Sequence, residues 1–587
     1  MKRSGIDLFV AVAGGRSIFG QGVIRGRSIS AAGLTILLLA VAGLGALSAQ
    51  QAEGPPPAPL FTTHQDCLAC HNGLRDAGGG DVSIGASWRA SMMANSARDP
   101  YWHAAVRAEV LDHPELQAAI EDACSTCHMP MARFMAAAHG GQGQVFANLA
   151  AAGLSPGAAG GAARPAVPAS PQTALALDGV SCALCHQIQP DGLGGHDSFS
   201  GGFVVDREQA PGDRRVFGPY EIEAGLSTIM RSSSRFVPEQ GTHLQESELC
   251  ASCHTLYTEF TDRSGRIVGE LPEQVPYIEW LHSDYRDTRS CQDCHMPVAA
   301  ADAPISSVLG EPREELSRHV FRGGNSYMLR VLRRYRDELG VVATNEELDA
   351  TIAETERNLQ SNAGRVRLEG IRRSATRLEA EVVVENLTGH KLPSAYPSRR
   401  AWLRLRVRGA DGTLLFESGA PEPDGSIAGN DNDADARRFE PHYEIIDSAG
   451  QVQIYESIMV DTEGEVTTGL LFGSRYVKDN RLLPAGFDKA TASADIAVQG
   501  GASSDGDFTG AGDRVRYSVE LGDAGGDLVV EVELLYQTIA FRWAQNLNRH
   551  TAPEIDRFVG YYDDTAGESP VVLASDRAEV PGLRPRR

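Results

Sequence analysis

Two hydrophobic periods divide the C-terminal half of the chain. After residue 375 apolar residues recur at every second position. Leu378, Ala380, Val382 and Val384 alternate with polar neighbours, apart from Val383. Leu403, Leu405 and Val407 alternate with Arg404, Arg406 and Arg408, and Leu528, Val530, Val532 and Leu534 repeat the theme. Successive side chains of a strand point to opposite faces, so these runs predict half-buried strands of an antiparallel sheet. Gly409-Ala410-Asp411-Gly412 supplies a turn after the second run. Residues 376–587 are expected to form an all-β domain, an Ig-like sandwich. Before it, 321–375 reads as helical. Thr344-Asn345-Glu346-Glu347 is a capping-box pattern, and Leu348, Ile352 and Leu359 then share one helical face. A second, heavily charged helical segment is expected over 330–339.

Residues 61–320 are expected to be helical turns and loops. The stretch 150–171, rich in Ala, Gly and Pro, reads as surface linker. Near the N-terminus an apolar run at 30–47 follows Arg25 and Arg27. It ends in the small residues 46–49, before a Pro-rich linker at 50–60. Basic, apolar, small is the order of a secretion signal, which implies export to the periplasm or cell surface and a mature start near Gln50 or Gln51. Eighteen residues also reach the short limit for a transmembrane helix, so 1–49 is either a signal peptide or a membrane anchor.

At 587 residues the chain has room for two to four domains. Its formal net charge of −23 excludes a duplex nucleic-acid partner and favours docking to a basic or neutral protein.

The chemistry lies in the cysteines. All ten fall in five copies of one motif: Cys67-Leu-Ala-Cys70-His71, Cys124-Ser-Thr-Cys127-His128, Cys182-Ala-Leu-Cys185-His186, Cys250-Ala-Ser-Cys253-His254 and Cys291-Gln-Asp-Cys294-His295. Two thiols followed at once by a histidine attach a c-type heme through thioethers, and the histidine gives the iron its proximal nitrogen. A zinc site would not need histidine at the same offset every time. The first cysteines lie 57, 58, 68 and 41 residues apart. Segments this short cannot each build a core, so five hemes are expected to serve as the core of 61–320.

These residues resemble bacterial multiheme c-type cytochromes of the cytochrome c-552/c-554 kind, in the form with a β-rich C-terminal domain. The likeness is carried by the five motifs, by Cys-His-Met-Pro at 127–130 and 294–297, and by Trp88-Arg-Ala-Ser91 and Trp280-Leu-His-Ser283. Beyond the heme half it extends to 386–393, Arg399-Arg400-Ala-Trp402, Pro441-His442-Tyr443 and 478–484. In relatives, Trp-x-x-Ser is often followed by a heme-reaching histidine. Here Met92 and Met93 follow Ser91. Either a thioether replaces an imidazole, which would raise that heme's potential, or a methionine packs on the porphyrin as soft filler.

Sixteen histidines less five proximal ones leave eleven for the distal side. The candidates are His64, His103, His139, His196, His243, His282, His319 and His390. About five are expected to be ligands, the rest surface or core residues. For His319 the family resemblance points to a ligand. His390, in a loop held by Gly389 and Pro393, either caps a heme or is a structural turn residue. His442 is a weaker candidate, and His113 and His550 read as surface residues. Asn430, Asp431, Asn432, Asp433 and Asp435 form a run of oxygen ligands that suits calcium, although the closing glutamate of the helix-loop-helix pattern is missing.

The resulting expectation is an electron-transfer protein working between a quinol-linked or soluble donor and a terminal acceptor. The alternatives are an oxidoreductase acting on a small nitrogen or sulfur compound at one open heme, and a docking role for the β domain.

Overall fold

The computed structural model describes residues 60–155, 168 and 170–583. The N-terminal half is built from short helices, most of them ended by the turn residues that follow. The longest is Pro100–Asp112, started by Asp99, whose carboxylate accepts the backbone N–H groups of Tyr101 (2.8 Å) and Trp102 (3.3 Å). Small strand pairs interrupt the helices, chiefly the hairpin of Leu256–Thr261 with Ile267–Gln274.

The expectation that the cofactors alone form the core of this half needs correction. Leu60, Trp102, Ile120, Met131, Leu149, Leu175 and Leu184 are buried together in one apolar cluster. No segment makes a core by itself, but segments distant in sequence pool their apolar side chains into one.

The capping box forms as expected. Thr344 Oγ1 accepts from the Glu347 N–H (3.3 Å), and Glu347 Oε2 accepts from the Thr344 N–H (3.0 Å). The helix runs Asn345–Asn362 and buries Leu348, Thr351, Thr355 and Leu359. Ile352 sits at the edge of that face. The other helix is displaced from its expected 330–339 to Ser326–Arg334. Asn325 caps it, its side chain accepting from the Met328 N–H (3.2 Å), and Tyr327, Met328, Val331 and Leu332 bury its apolar stripe. The charged residues at 330–339 mark only its outer face and the turn beyond.

Two sheets face each other in the C-terminal half. One orders the strands Leu414–Ser418, Arg400–Gly409, Leu528–Gln537 and Val571–Val580, with Ile454–Tyr455 also paired to Arg400–Gly409. The other orders Ile445–Ile446, Asp513–Glu520, Arg377–Asn386 and Gly364–Arg373. In register, Val532 lies opposite Leu405 and Val515 opposite Val382, and all four point into the shared core. The alternate positions face outward. There Arg404 pairs with Glu417 (2.7 Å) and Arg406 with Glu533 (3.2 Å). A helix, Pro553–Thr565, interrupts the run of strands before Val571–Val580. With Pro100–Asp112 and Ser326–Arg334 it forms a second core containing Tyr101, Tyr327, Phe558 and Tyr562. The described residues thus belong to one compact unit, Pro59–Arg587.

The transmembrane helix expected as one alternative is corrected. Among the described residues no helix is long and apolar enough to cross a membrane. The apolar run at 30–47 lies outside the described residues, as does most of the 150–171 linker.

Candidate heme-binding cavity

Each motif is carried on a helical turn. Gln117–His128, Cys182–Cys185, Ser247–His254 and Cys291–His295 hold four of them. The first lies on His64–Leu68 and its continuation, where the N–H groups of Cys70 and His71 both donate to the Cys67 carbonyl (3.2 and 3.1 Å). Cysteines three apart on a helical turn fall on one face, which presents both thiols to one side. Ser290 starts the fifth motif through a capping box with Asp293.

All ten cysteines and all five motif histidines line one cavity of ≈ 1830 Å³, larger than the pocket of a single small ligand, about 300–1,000 Å³. The motifs meet out of sequence order. The Cys67 thiol hydrogen-bonds with Cys182, Cys127 with Cys253, and Cys250 with Cys291. The first motif therefore adjoins the third, the second the fourth, and the fourth the fifth. Thiol–thiol hydrogen bonding comes first and burial second in raising Cys67, Cys127 and Cys250 well above the ordinary thiol range.

The histidines are oriented by backbone carbonyls. Nδ1 of His71 donates to Ile305 O (2.6 Å), of His128 to Ser96 O (3.0 Å), of His186 to Phe217 O (2.6 Å) and of His295 to Arg322 O (2.6 Å). A carbonyl only accepts, so the proton sits on Nδ1 and Nε2 keeps its lone pair. Metal-bound imidazoles are held in the same way. Burial pushes His128 and His295 down to about 4, which keeps both rings neutral and ready to ligate.

Two of the expected distal histidines reach the cavity. His319 lies with its ring centroid 6.3 Å from that of His186, the planes 16° apart. His390 stands in the same relation to His295, at 6.3 Å and 14°. That spacing equals two metal–imidazole bonds of about 2 Å each plus one ring radius on either side. His319 and His390 also donate from Nδ1 to carbonyls, of Ser317 (3.2 Å) and Lys391 (2.8 Å), and leave Nε2 unprotonated. The donor set thus fits c-type heme with imidazole on both faces at these two positions.

The other candidates do not line this cavity. His103 is fully buried with both nitrogens engaged: Nε2 donates to Ala97 O (2.9 Å) and Nδ1 accepts from Arg557 (2.8 Å). His243 donates from Nε2 to Ile188 O (2.9 Å). His64 is paired with Asp178 against Trp88. His139 is exposed at a second, smaller cavity, and His196 is exposed beside Tyr257. His282 donates to Ile278 O (2.9 Å) beside Phe487. Met92 and Met93 do line the main cavity.

The loop bearing His390 is tied to the N-terminal half by a buried ionic network. Glu279 lies on the helix Pro276–Leu281. It accepts from the Lys391 N–H (3.1 Å) and the Ser394 hydroxyl (2.5 Å) and pairs with Arg481 (2.9 Å). Asp479 pairs with Lys391 (2.6 Å) and Arg481 (2.8 Å). Burial alone would raise Asp479, but Arg481 and then Lys391 hold it well below the usual carboxylate range. Gly389 sits at a close approach: a Cβ there would lie 3.3 Å from both Trp280 and Tyr285, and those side chains would have to give way slightly.

The expected calcium loop is organised differently. Asp433 is buried against the guanidinium of Arg400 (2.9 and 3.0 Å) and accepts the Ile427 N–H (2.8 Å). Asp431 pairs with Arg438 and Asp435 with Arg437. Arginine supplies the positive charge that a cation would bring. His442 lies with Asp505 (3.0 Å) and Asp513 in a buried cluster. Its Nδ1 accepts from Gln453 (2.9 Å) and Asn480 (3.1 Å), which fixes the proton on Nε2, facing Asp505. His113, expected at the surface, is 2% exposed and packs on Phe472. His550 is half-buried and paired with Asp112.

Sequence reasoning overlooked a group of polar residues that also line the cavity: Tyr101, Glu109, Glu273, Tyr396 and Arg399. Arg399 stands in a quoted family motif, but no spacing links the others.

No family model matches the chain, and no curated protein does. Among solved structures it is similar to a penta-heme cytochrome c552 from Thermochromatium tepidum. The identity is 15%, the match covers 89% of this chain and 100% of that one, and the TM-score is 0.47. At that distance the likeness carries no argument about cofactor or activity.

Proposed function

We propose that the protein is an exported pentaheme c-type cytochrome that passes single electrons between extracytoplasmic redox partners. The observation that carries this reading is the convergence of all ten motif cysteines and all five motif histidines on one cavity, with thiols of different motifs in contact. Cys67, Cys70, Cys124, Cys127, Cys182, Cys185, Cys250, Cys253, Cys291 and Cys294 would tether the hemes. His71, His128, His186, His254 and His295 would be proximal ligands, with His319 and His390 distal to the third and fifth. Bound heme supplies a one-electron iron couple whose potential follows its axial ligands and burial. This chain's part is to hold imidazoles neutral, orient them through carbonyls and exclude water.

On this reading 61–320 is the cytochrome half, 321–375 a helical connection and 376–587 the β domain, as in the c-552/c-554 kind. The acidic chain suits a basic soluble partner, and the donor is quinol-linked or soluble. Mass spectrometry and low-temperature EPR test the proposal. Five covalent hemes with low-spin ferric signals support it, and protein matured in an exporting host without covalent heme overturns it. The second reading, an oxidoreductase acting on a small nitrogen or sulfur compound, draws on the acids and phenols lining the cavity. A high-spin signal perturbed by nitrite, hydroxylamine or sulfite would favour it.

A further inference from the structure

The polar group overlooked in the sequence comes from three distant elements. Tyr101 and Glu109 lie on the helix Pro100–Asp112, Glu273 on the strand Ile267–Gln274, and Tyr396 in the loop before the strand Arg400–Gly409. All four line the cavity. The Tyr101 and Tyr396 hydroxyls are hydrogen-bonded to each other. Glu109 accepts from the Leu470 N–H (2.7 Å) and the Leu471 N–H (3.4 Å), and Glu273 from the Thr258 hydroxyl (2.6 Å). Both glutamates are at least nine-tenths buried, at 6% and 5% exposure. Among the described residues neither forms an ion pair, whereas the buried Asp433 and Asp479 both do.

Glu109 lies close enough to Glu273 to raise its proton affinity. Both also act on the thiol of Cys124, and Glu273 on that of Cys127, which meets Cys253 of the fourth motif. The charged and titratable groups around them are Asp112 and Arg549 near Glu109, and Tyr396 and Tyr476 near Glu273. A buried carboxyl without a cation favours its neutral form, and a second carboxylate nearby strengthens that preference. Burial, the largest cause, pushes both Glu109 and Glu273 up to about 7. Any negative charge added beside them raises their proton affinity further.

We propose that Glu109 and Glu273 form a proton-uptake site coupled to reduction of the cofactors held by the second and fourth motifs. An electron delivered there by the donor protein is matched by one proton taken from water onto one of the two carboxylates. When the electron leaves for the acceptor, the proton returns to water. No bond to carbon, nitrogen or sulfur is made or broken. The site rests on the pentaheme reading above. It makes the cavity a place where electron and proton movements are joined, with the β domain contributing Tyr396 to its wall.

Spectroelectrochemical titration of the holoprotein between about pH 6 and 8 tests it, with covalent heme content measured on the same samples. Proton uptake favours the reduced form, so a midpoint potential should fall as pH rises. One proton per electron changes the equilibrium tenfold per pH unit, a slope of about 59 mV. Glu273→Gln should flatten that slope, and Glu273→Asp, which keeps a carboxyl, should retain it. Glu109→Gln gives an independent reading should Glu273→Gln fold poorly. Five hemes with pH-independent potentials overturn the proposal and leave the electron-transfer reading standing. So does a slope unchanged in the double variant Glu109→Gln/Glu273→Gln, which would assign the proton to the heme propionates. Absence of covalent heme overturns both.

Discussion

The rings of His295 and His390 lie 6.3 Å apart and 14° from parallel, although one closes a cysteine motif and the other sits in a loop between two strands of the β half. The loop is held there by Glu279, Lys391, Asp479 and Arg481, all buried. The β half therefore supplies a side chain to the cavity lined by the five motifs and a rigid mount for it.

Replacing His390 with alanine should open one heme. About one fifth of the ferric iron should turn from low spin to high spin, and the reduced protein should gain carbon monoxide binding of the same extent. His390→Met should instead keep six-coordination and raise one potential. His319→Ala should act likewise on the third heme. An EPR spectrum unchanged by His390→Ala would remove this residue from the ligand set.

Removing the Asp479 carboxylate should be costly. Asp479→Asn leaves Lys391 and Arg481 with less negative charge in a buried site, for which the expected loss is about 3–5 kcal/mol. A double variant, Lys391→Met with Asp479→Leu, should recover part of it. Denaturant unfolding of both proteins, monitored in the far-UV, gives the comparison.

The same carboxylate predicts a pH dependence. Its folded value is depressed, so its stabilisation is fully present above the unfolded value of about 3.9 and is lost as pH falls from there through the folded value. Thermal unfolding between about pH 4 and 2 should show a drop in the parent that is smaller in Asp479→Asn. Parallel curves for the two proteins would assign acid sensitivity elsewhere.

Chelators should leave the loop at 430–435 unaffected, because Arg400 occupies the place of a cation beside Asp433. EDTA is expected to shift the melting temperature by less than the scatter between replicates, whereas Asp433→Asn should cost about 3–5 kcal/mol by stranding a buried guanidinium. A melting temperature that rises with added calcium would contradict this.

Loss of a tether should remove a cofactor and loosen its surroundings. In Cys250→Ala/Cys253→Ala the mass should fall by one heme. Limited proteolysis should then cut within Ser247–His254, where the thiols face the cavity.

The strands were legible because their signal is local. Alternation in 378–384, 403–407 and 528–534 states which face each residue takes, and the structure buries Leu403, Leu405, Val530 and Val532 accordingly. The Thr344 cap was legible for the same reason. The helix at Ser326–Arg334 was misplaced because its charges are more conspicuous than the apolar stripe they accompany. Asp433 looked like a metal ligand because its partner Arg400 is more than thirty residues away and no pattern announces the pair.

By itself, then, the sequence determined where the five Cys-x-x-Cys-His motifs lie and the heme chemistry they imply. A heme motif is five consecutive residues on one helical turn, and no distant contact is needed to define it. Which histidine faces which motif, which motif adjoins which, and which acids share the cavity were decided only by the tertiary structure. Such juxtapositions join residues tens to hundreds of positions apart, such as Glu279 with Arg481 and His295 with His390. The packing of the two halves selects them, and a distal histidine would obey no fixed spacing, because iron would require only that a neutral imidazole nitrogen arrive from the open side.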